Sequence, residues 1–400
     1  MGGNLILVIN MRKSESIFNI KGKLVIEGQV AKGYLTIRQG KILEFNRSKP
    51  QGETVDFGDN YVVPGFIDLH IHGVHSFLMD NSPEDFVEIC RILPQYGVTG
   101  FLPTVAPRPK GEDAKFLKQL AKKDTSGSRI LGFHLEGPFL KITGALTADA
   151  ISGAEQKRVK SLIEAVKPYK AIFSISPDVE GIEHLIPLMA ENNTPVFITH
   201  TAASVKQTQR AIALGASHAT HFYDVFPCPP VTDPGVRPCG AVEAILADER
   251  VSVDFILDGF HVDPVAIKMA LINKRSGSGK VCLVTDANVG AGLEPGRFVF
   301  GNSGEIEFAY KGAPARSVKD KRLAGSGLTM DQALRNAINL LDLTLPDAVQ
   351  LVSSNPAKVI GIDKYKGSLL PGYDADFTIL NSELEIQQTW INGKCFFEKK

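Results

Sequence analysis

Short segments in which apolar and polar residues alternate open the chain, at residues 23–27 (Lys-Leu-Val-Ile-Glu), 33–38 (Gly-Tyr-Leu-Thr-Ile-Arg) and 40–45 (Gly-Lys-Ile-Leu-Glu-Phe), each set off by turn residues. A period of two marks strands with one buried face, so this region predicts a β-rich unit. The pattern returns at residues 374–380 and 388–394. The two ends are expected to pair into one small β-sandwich domain of residues 1–60 and 364–400, with residues 61–363 inserted between them as a second domain.

Within the insertion the pattern changes. Short apolar stretches at residues 62–70, 128–136, 171–175, 195–200, 218–221, 253–257 and 280–286 alternate with amphipathic, helix-like sequence. Strand followed by helix, repeated about eight times, predicts an α/β fold with a closed (β/α)8 barrel of the TIM type. Polar residues interrupt these strands at their C-terminal ends, which in such a barrel form the mouth where chemistry is done. Residues 290–325 break the pattern with Gly-rich and Pro-containing sequence, and are expected to form an inserted loop or hairpin beside the mouth.

The bulk properties narrow the partners. Forty-four basic residues balance forty-four acidic ones, which gives no field for nucleic acid or an anionic membrane surface. The five cysteines, Cys90, Cys228, Cys239, Cys282 and Cys395, are scattered and form no CxxC pair, so they read as reduced thiols of a cytoplasmic protein. The apolar run from Asn4 to Asn10 is too short to span a bilayer and has neither a basic region before it nor a small-residue cleavage site after it. Neither a signal peptide nor a membrane span is expected.

The strand ends carry the candidate chemistry. His70 and His72 are one residue apart at a strand exit, so both side chains leave the same face and can converge on one ion. His134-Leu-Glu-Gly-Pro places Glu136, a ligand for a hard or borderline cation, at another strand end. His200 and His221 close two further strands, and Asp286 closes the last. Each has an ordinary alternative: a polar strand exit for the histidines, a rim ion pair for Glu136, a helix N-cap for Asp286. Taken as an ordered set on one barrel they point to a metal centre, with Asp286 as the acid/base that takes a proton from the attacking water and returns it to the leaving amine. His218 begins the strand that His221 closes and reads as structural, His75 as a loop residue, and His184 as solvent-facing.

These residues and their surroundings resemble the amidohydrolase superfamily and, within it, the N-acetylglucosamine-6-phosphate deacetylases. The resemblance spans nearly the whole chain and rests on Pro64-Gly-Phe-Ile-Asp-Leu-His-Ile-His-Gly, Gly132-Phe-His-Leu-Glu-Gly-Pro-Phe, Ala219-Thr-His-Phe, Asp258-Gly-Phe-His-Val, Leu283-Val-Thr-Asp-Ala, Leu323-Ala-Gly-Ser-Gly-Leu-Thr-Met-Asp, Asn355-Pro-Ala and Gly367-Ser-Leu-Leu-Pro-Gly-Tyr-Asp-Ala-Asp. It implies metal-dependent hydrolysis of an N-acetyl amide on an amino sugar, releasing acetate. Glu136, His200 and His221 would hold the main metal, and His70 and His72 a second with Glu136 shared. His261, Asp224, Val225, Arg237, Ala145 and Leu328 would line the substrate pocket. The metal would be zinc, with iron, cobalt or manganese as alternatives, one or two ions per subunit, and the assembly a homodimer.

The chain departs from the family pattern at three places. Where relatives have Gly-Ala-His it reads Gly144-Ala145-Leu146, where they have Asn-Ala after the last metal histidine it has Asp224-Val225, and where they have an arginine before Glu-Pro-Gly it has Thr232 before Asp233-Pro-Gly, with Arg237 a shifted substitute. A carboxylate beside a phosphate is repulsive unless a cation intervenes. The substrate is therefore open between a 6-phosphorylated N-acetyl sugar, an unphosphorylated one and another small N-acyl compound. A barrel used only for binding is the alternative of a different class.

Overall fold

The computed structural model describes residues 17–400; the run from Asn4 to Asn10 lies outside them. Eight parallel strands form the barrel: β1 (Phe66–Ile71), β2 (Val98–Val105), β3 (Phe133–Glu136), β4 (Ala171–Ile175), β5 (Val196–Ile198), β6 (Ala216–Ala219), β7 (Ser252–Ile256) and β8 (Val281–Val284). They pair in chain order from β1 to β8. The barrel closes just beyond the strand ends, where the Asp286 amide donates to the His70 carbonyl at 2.9 Å and the His72 amide to the Ala287 carbonyl at 2.9 Å. Nearly every strand residue is buried, because side chains fill the interior and helices cover the outside.

The outer helices follow from their patterns. Met330–Leu341 buries Met330, Ala333, Leu334, Ala337 and Leu341, an i, i+3, i+4, i+7 stripe that lies on the barrel. Val205–Leu214 starts at Ser204, whose hydroxyl accepts the Gln207 amide while the Gln207 side chain accepts the Ser204 amide, a reciprocal cap typically worth about 1 kcal/mol.

The two ends of the described chain build a separate mixed sheet of seven strands, in the order Lys394–Glu398, Ile386–Ile391, Phe377–Leu380, Glu53–Pro64, Ile17–Ile26, Gln29–Arg38, Lys41–Asn46. Three strand spacings separate Trp390 from Phe18, roughly 14 Å in a flat sheet, yet their rings lie 6.0 Å apart. The sheet therefore curls over its own core, in which Phe377 stacks on Trp390 at 5.4 Å beside Ile20, Leu35, Ile37 and Val62. Strand Glu53–Pro64 belongs to this sheet to its last residue and leads directly into β1.

Residues 296–326 are more regular than a loop or a single hairpin. Gly296–Val299, Glu305–Phe308, Pro314–Ser317 and Leu323–Ser326 make a four-stranded antiparallel meander around Phe300, Ile306, Phe308 and Ala324. Its last strand is tied to the rim by the Ser326 amide, which donates to the Asp286 carbonyl at 2.8 Å, so the meander stands at the mouth.

Candidate metal centre and active site

Glu136, the last residue of β3, is the hub. Its Oε1 lies 3.2 Å from His200 Nε2 and 3.0 Å from His221 Nε2. Its Oε2 lies 3.1 Å from His72 Nε2 and 3.7 Å from His70 Nε2. Asp286 Oδ1 completes the second group, 3.3 Å from His70 Nε2 and 3.4 Å from His72 Nε2. All six side chains are buried. His200, His221 and Asp286 each sit two residues beyond a strand end with positive φ, +50°, +32° and +45°, which turns the side chain inward where an extended residue would alternate outward. Such backbone costs on the order of 1–3 kcal/mol per residue and clusters at functional sites.

Hydrogen-bond accounting tests whether cations fit here. His200 Nδ1 donates to the Ile142 carbonyl at 2.8 Å, so in the neutral ring Nε2 carries a lone pair, and that lone pair faces a carboxylate oxygen. Thr220 spends its only hydroxyl proton on Asp254, so it accepts from His70 Nδ1, and His70 Nε2 then presents a lone pair to His72 Nε2 at 3.2 Å. The lone pairs of His200 and His70 lie 3.2–3.7 Å from carboxylate oxygens and repel them unless a positive charge lies among them. Donors around a tetrahedral cation with bonds of about 2.0–2.1 Å are spaced about 3.4 Å apart, which matches. The donor set suits a borderline cation, and Glu136 divides it into two groups.

The electrostatics agree. Burial pulls the His72 imidazole down, but Glu136, with Asp286 and Asp80, outweighs it and leaves the ring raised to about 9. Burial is likewise overcome at His221, raised to about 10 by Glu136 and, further off, by Asp224 and Asp286. Burial pushes Glu136 up, yet the surrounding imidazoles hold it well below the usual carboxylate range. The pocket attracts positive charge strongly, and metal ions compete with protons for the same lone pairs.

A second tier holds the first. Asp254, within β7, accepts the His221 amide at 2.5 Å, the Thr220 hydroxyl at 3.0 Å and His218 Nε2 at 2.6 Å. Asp68 accepts the Thr285 hydroxyl at 2.6 Å and the His70 amide at 3.2 Å, and burial raises its carboxyl to about 7. His134 donates from Nδ1 to the Leu69 carbonyl at 3.0 Å and accepts the Ser174 hydroxyl at Nε2, 2.6 Å; burial holds it well below the usual range, so it is neutral. Sequence patterns passed over Asp68 and Asp254 as partners, although an acid inside an apolar strand is a readable signal.

Of the substrate-pocket residues, His261 is buried above the centre, its Nδ1 donating to Asp258 at 2.7 Å and its Nε2 left without a partner. Burial opposes protonation of this ring, but Asp258, then Asp224 and Asp286, raise it. Val225 is half-buried at the edge of His200, and Asp224 is half-buried beside it. Ala145 lies in the loop whose Gly144 passes His200 so closely that a Cβ would sit 2.8 Å from the ring, at φ +57°. Two residues do not join the site. Arg237 is 76% exposed and paired with Glu243 at 3.1 Å, and Leu328 is fully buried in the barrel core. His218 is structural, His75 sits in a turn against Tyr96, and His184 is exposed, as expected.

Comparison with known proteins adds to the geometry. The profile of the amidohydrolase family matches residues 61–395. The N-acetylgalactosamine-6-phosphate deacetylase of Escherichia coli O157:H7 is 31% identical over 337 residues, 83% of this chain and 86% of that protein. The N-acetylglucosamine-6-phosphate deacetylase of Bacillus subtilis (strain 168) is 30% identical over 391 residues, 94% and 96% respectively. The crystal structure of N-acetyl-D-glucosamine-6-phosphate deacetylase from Mycobacterium smegmatis has the same fold, with a TM-score of 0.85 at 24% identity over 94% of this chain and 99% of that one. With a barrel, a glutamate-centred cluster of imidazoles and carboxylates and relatives over most of its length, the chain belongs to the amidohydrolase family and, within it, to the group of the N-acetylglucosamine-6-phosphate deacetylases.

Proposed function

We propose that the chain removes the acetyl group from an N-acetylated amino sugar, releasing acetate and the free amine. The observation that carries this reading is the sharing of Glu136 between two imidazole pairs with Asp286 alongside. In this reading His200, His221 and Glu136 hold one divalent cation, and His70, His72 and Glu136 a second. Zinc suits the nitrogen and oxygen donors, as do iron, cobalt and manganese. Cations bound there lower the pKa of water and polarise the acyl carbonyl.

The chain's own groups do the rest. Asp286 is held below the usual carboxylate range, because His70 and His72 outweigh the upward push of burial. It is therefore ionised and able to accept the proton of the attacking water, then deliver it to the leaving nitrogen. His261, oriented by Asp258, offers Nε2 to the substrate. Residues 61–363 form the catalytic unit in this reading, and residues 1–60 with 364–400 the supporting one.

Two further features belong to the proposal. The helix Pro264–Asn273 buries Ala266, Ile267 and Ala270 but leaves Val265, Met269 and Ile272 exposed by 62, 52 and 76%, and Phe260 before it is exposed as well. An outward apolar stripe of this kind lacks a partner in the single chain, and a net charge of zero does not oppose self-association, which supports a homodimer through this face. Five free cysteines support a cytoplasmic location, and no helix among the described residues is long and apolar enough to cross a membrane.

The test is acetate release by the metal-loaded protein from N-acetylhexosamines, compared with hydantoins and N-acyl amino acids. Acetate from the sugars alone is expected, and turnover of ring amides alone would overturn the reading.

A further inference from the structure

The seat of His72 is held by a contact that neither strand pairing nor the core requires. Directly after His72 the chain makes a two-residue hairpin, in which Gly73–Val74 pairs with Phe77–Leu78 across His75 and Ser76. Both turn residues have positive φ, +52° and +70°. Asn-Gly makes such a turn at least cost, so His-Ser here stores backbone strain of the kind that surrounding contacts must hold in place. The contact that holds it is a hydrogen bond between His75 Nε2 and the Tyr96 hydroxyl at 2.5 Å, with the two rings edge to face at 5.8 Å. Both residues are only half-buried, so apolar packing does not account for the pair.

Each end of this bond is anchored. Tyr96 ends a turn whose Pro94 carbonyl accepts the Thr389 hydroxyl at 2.7 Å, and the next carbonyl, of Gly97, accepts the Thr378 hydroxyl at 3.0 Å; both threonines belong to the terminal sheet. The backbone of Gly292 closes over the bond, where a Cβ would collide with both Tyr96 Oη and His75 Nε2. On the other side the hairpin serves the centre. The Met79 amide donates to the His72 carbonyl at 2.7 Å, and the His75 and Ser76 amides donate to the Ala291 and Val289 carbonyls at 3.1 and 2.7 Å, in the stretch that follows Asp286. Leu78 joins the core of the meander with Phe300, whose ring meets His72 edge-on at 5.9 Å. These contacts reach the His72 and Asp286 side of the centre, and none of them touches the loops of His200 and His221.

We infer that His75 and Tyr96 are positioning residues: their bond sets the hairpin, and through it holds His72 at the spacing a second cation needs. The inference rests on the two-cation reading above, and uptake of zinc separates their fates. Wild type and three variants are titrated with zinc against a chelator, bound ions are counted by elemental analysis, and the metal-free proteins are melted in parallel. Tyr96→Phe deletes the bond and keeps the ring. His75→Gly deletes it too, but gives the turn a residue for which positive φ is free of strain, so it should melt no lower than Tyr96→Phe. Both are expected to weaken one of the two ions by about tenfold, the lower end of what partners of metal ligands reach, and to leave the other unchanged. His75→Gln, whose amide reaches the place of Nε2, should restore most of the loss. Variants that hold both ions as the wild type does, or that loosen both in step with their melting, overturn the inference and leave the two-cation reading standing. A wild type that takes up fewer than two ions overturns both.

Discussion

Two clusters of buried charge can be set side by side. In the terminal sheet, Lys366 Nζ lies 2.8 Å from Asp374 Oδ2 and 2.5 Å from Asp376 Oδ2, Lys41 caps the other oxygen of Asp374 at 2.5 Å, and Asp376 Oδ1 accepts the Asn392 amide at 2.7 Å. Every carboxylate oxygen there meets a donor. Burial opposes charge on Lys366, but Asp376 and Asp374 outweigh it and hold the amine above its ordinary value. At the barrel mouth imidazoles and carboxylates are packed as tightly, but His200, its Nδ1 proton given to the Ile142 carbonyl, turns an Nε2 lone pair on Glu136 Oε1 at 3.2 Å. Partner accounting separates the clusters: the first is complete and structural, and the second is left with lone pairs that a cation would complete.

Substitutions sharpen that contrast, in descending order of effect at the mouth. Asp286→Asn is expected to cut kcat by about 10²–10⁴ while metal content, read by elemental analysis, is retained; loss of metal in step with activity would make Asp286 a ligand first. Glu136→Gln should weaken metal binding by more than about 100-fold, since changes one shell further out already reach that size. Asp254→Asn loosens the seat of His221 without touching an ion, and a loss of about 10–100-fold in metal affinity by competition with a chelator is the expected result. Lys366→Met strands two carboxylates and should cost about 3–5 kcal/mol in denaturant unfolding, yet leave kcat per folded molecule unchanged. A parallel loss of kcat would mean that the terminal sheet shapes the mouth. Chelation should lower the melting temperature of the wild type by removing a ligand of the native state, and the Lys366 variant should show the same shift.

The barrel and its six rim side chains were legible because both rest on short-range rules: apolar runs make strands, and polar residues at their C-terminal ends converge when the sheet closes. What escaped is non-local. Pairing of Ile17–Ile26 in parallel with Glu53–Pro64, and the curl that brings Trp390 to Phe18, follow from long-range packing that no window of sequence contains. The meander hid because its strands are only four residues long and lie in a stretch broken by glycines and prolines. Asp254 and Asp68 were readable as acids within apolar strands, but their partners lie 33 and 217 residues away. Arg237 was expected at the pocket from its neighbours in the chain, yet its loop turns it to solvent, and Leu328 fills the core because an apolar side chain beside a buried strand gains more there than at a wet rim.

The seam of the barrel has a consequence for how such an enzyme comes to life. Asp286 both faces the cations' seat and hands its backbone amide to His70, so the last stave to be synthesised locks against the first. A ribosome-held chain that ends before β8 already owns five of the six rim side chains but has no finished ring on which to hold them. A complete set of rim side chains on a closed ring therefore requires that synthesis has passed Asp286.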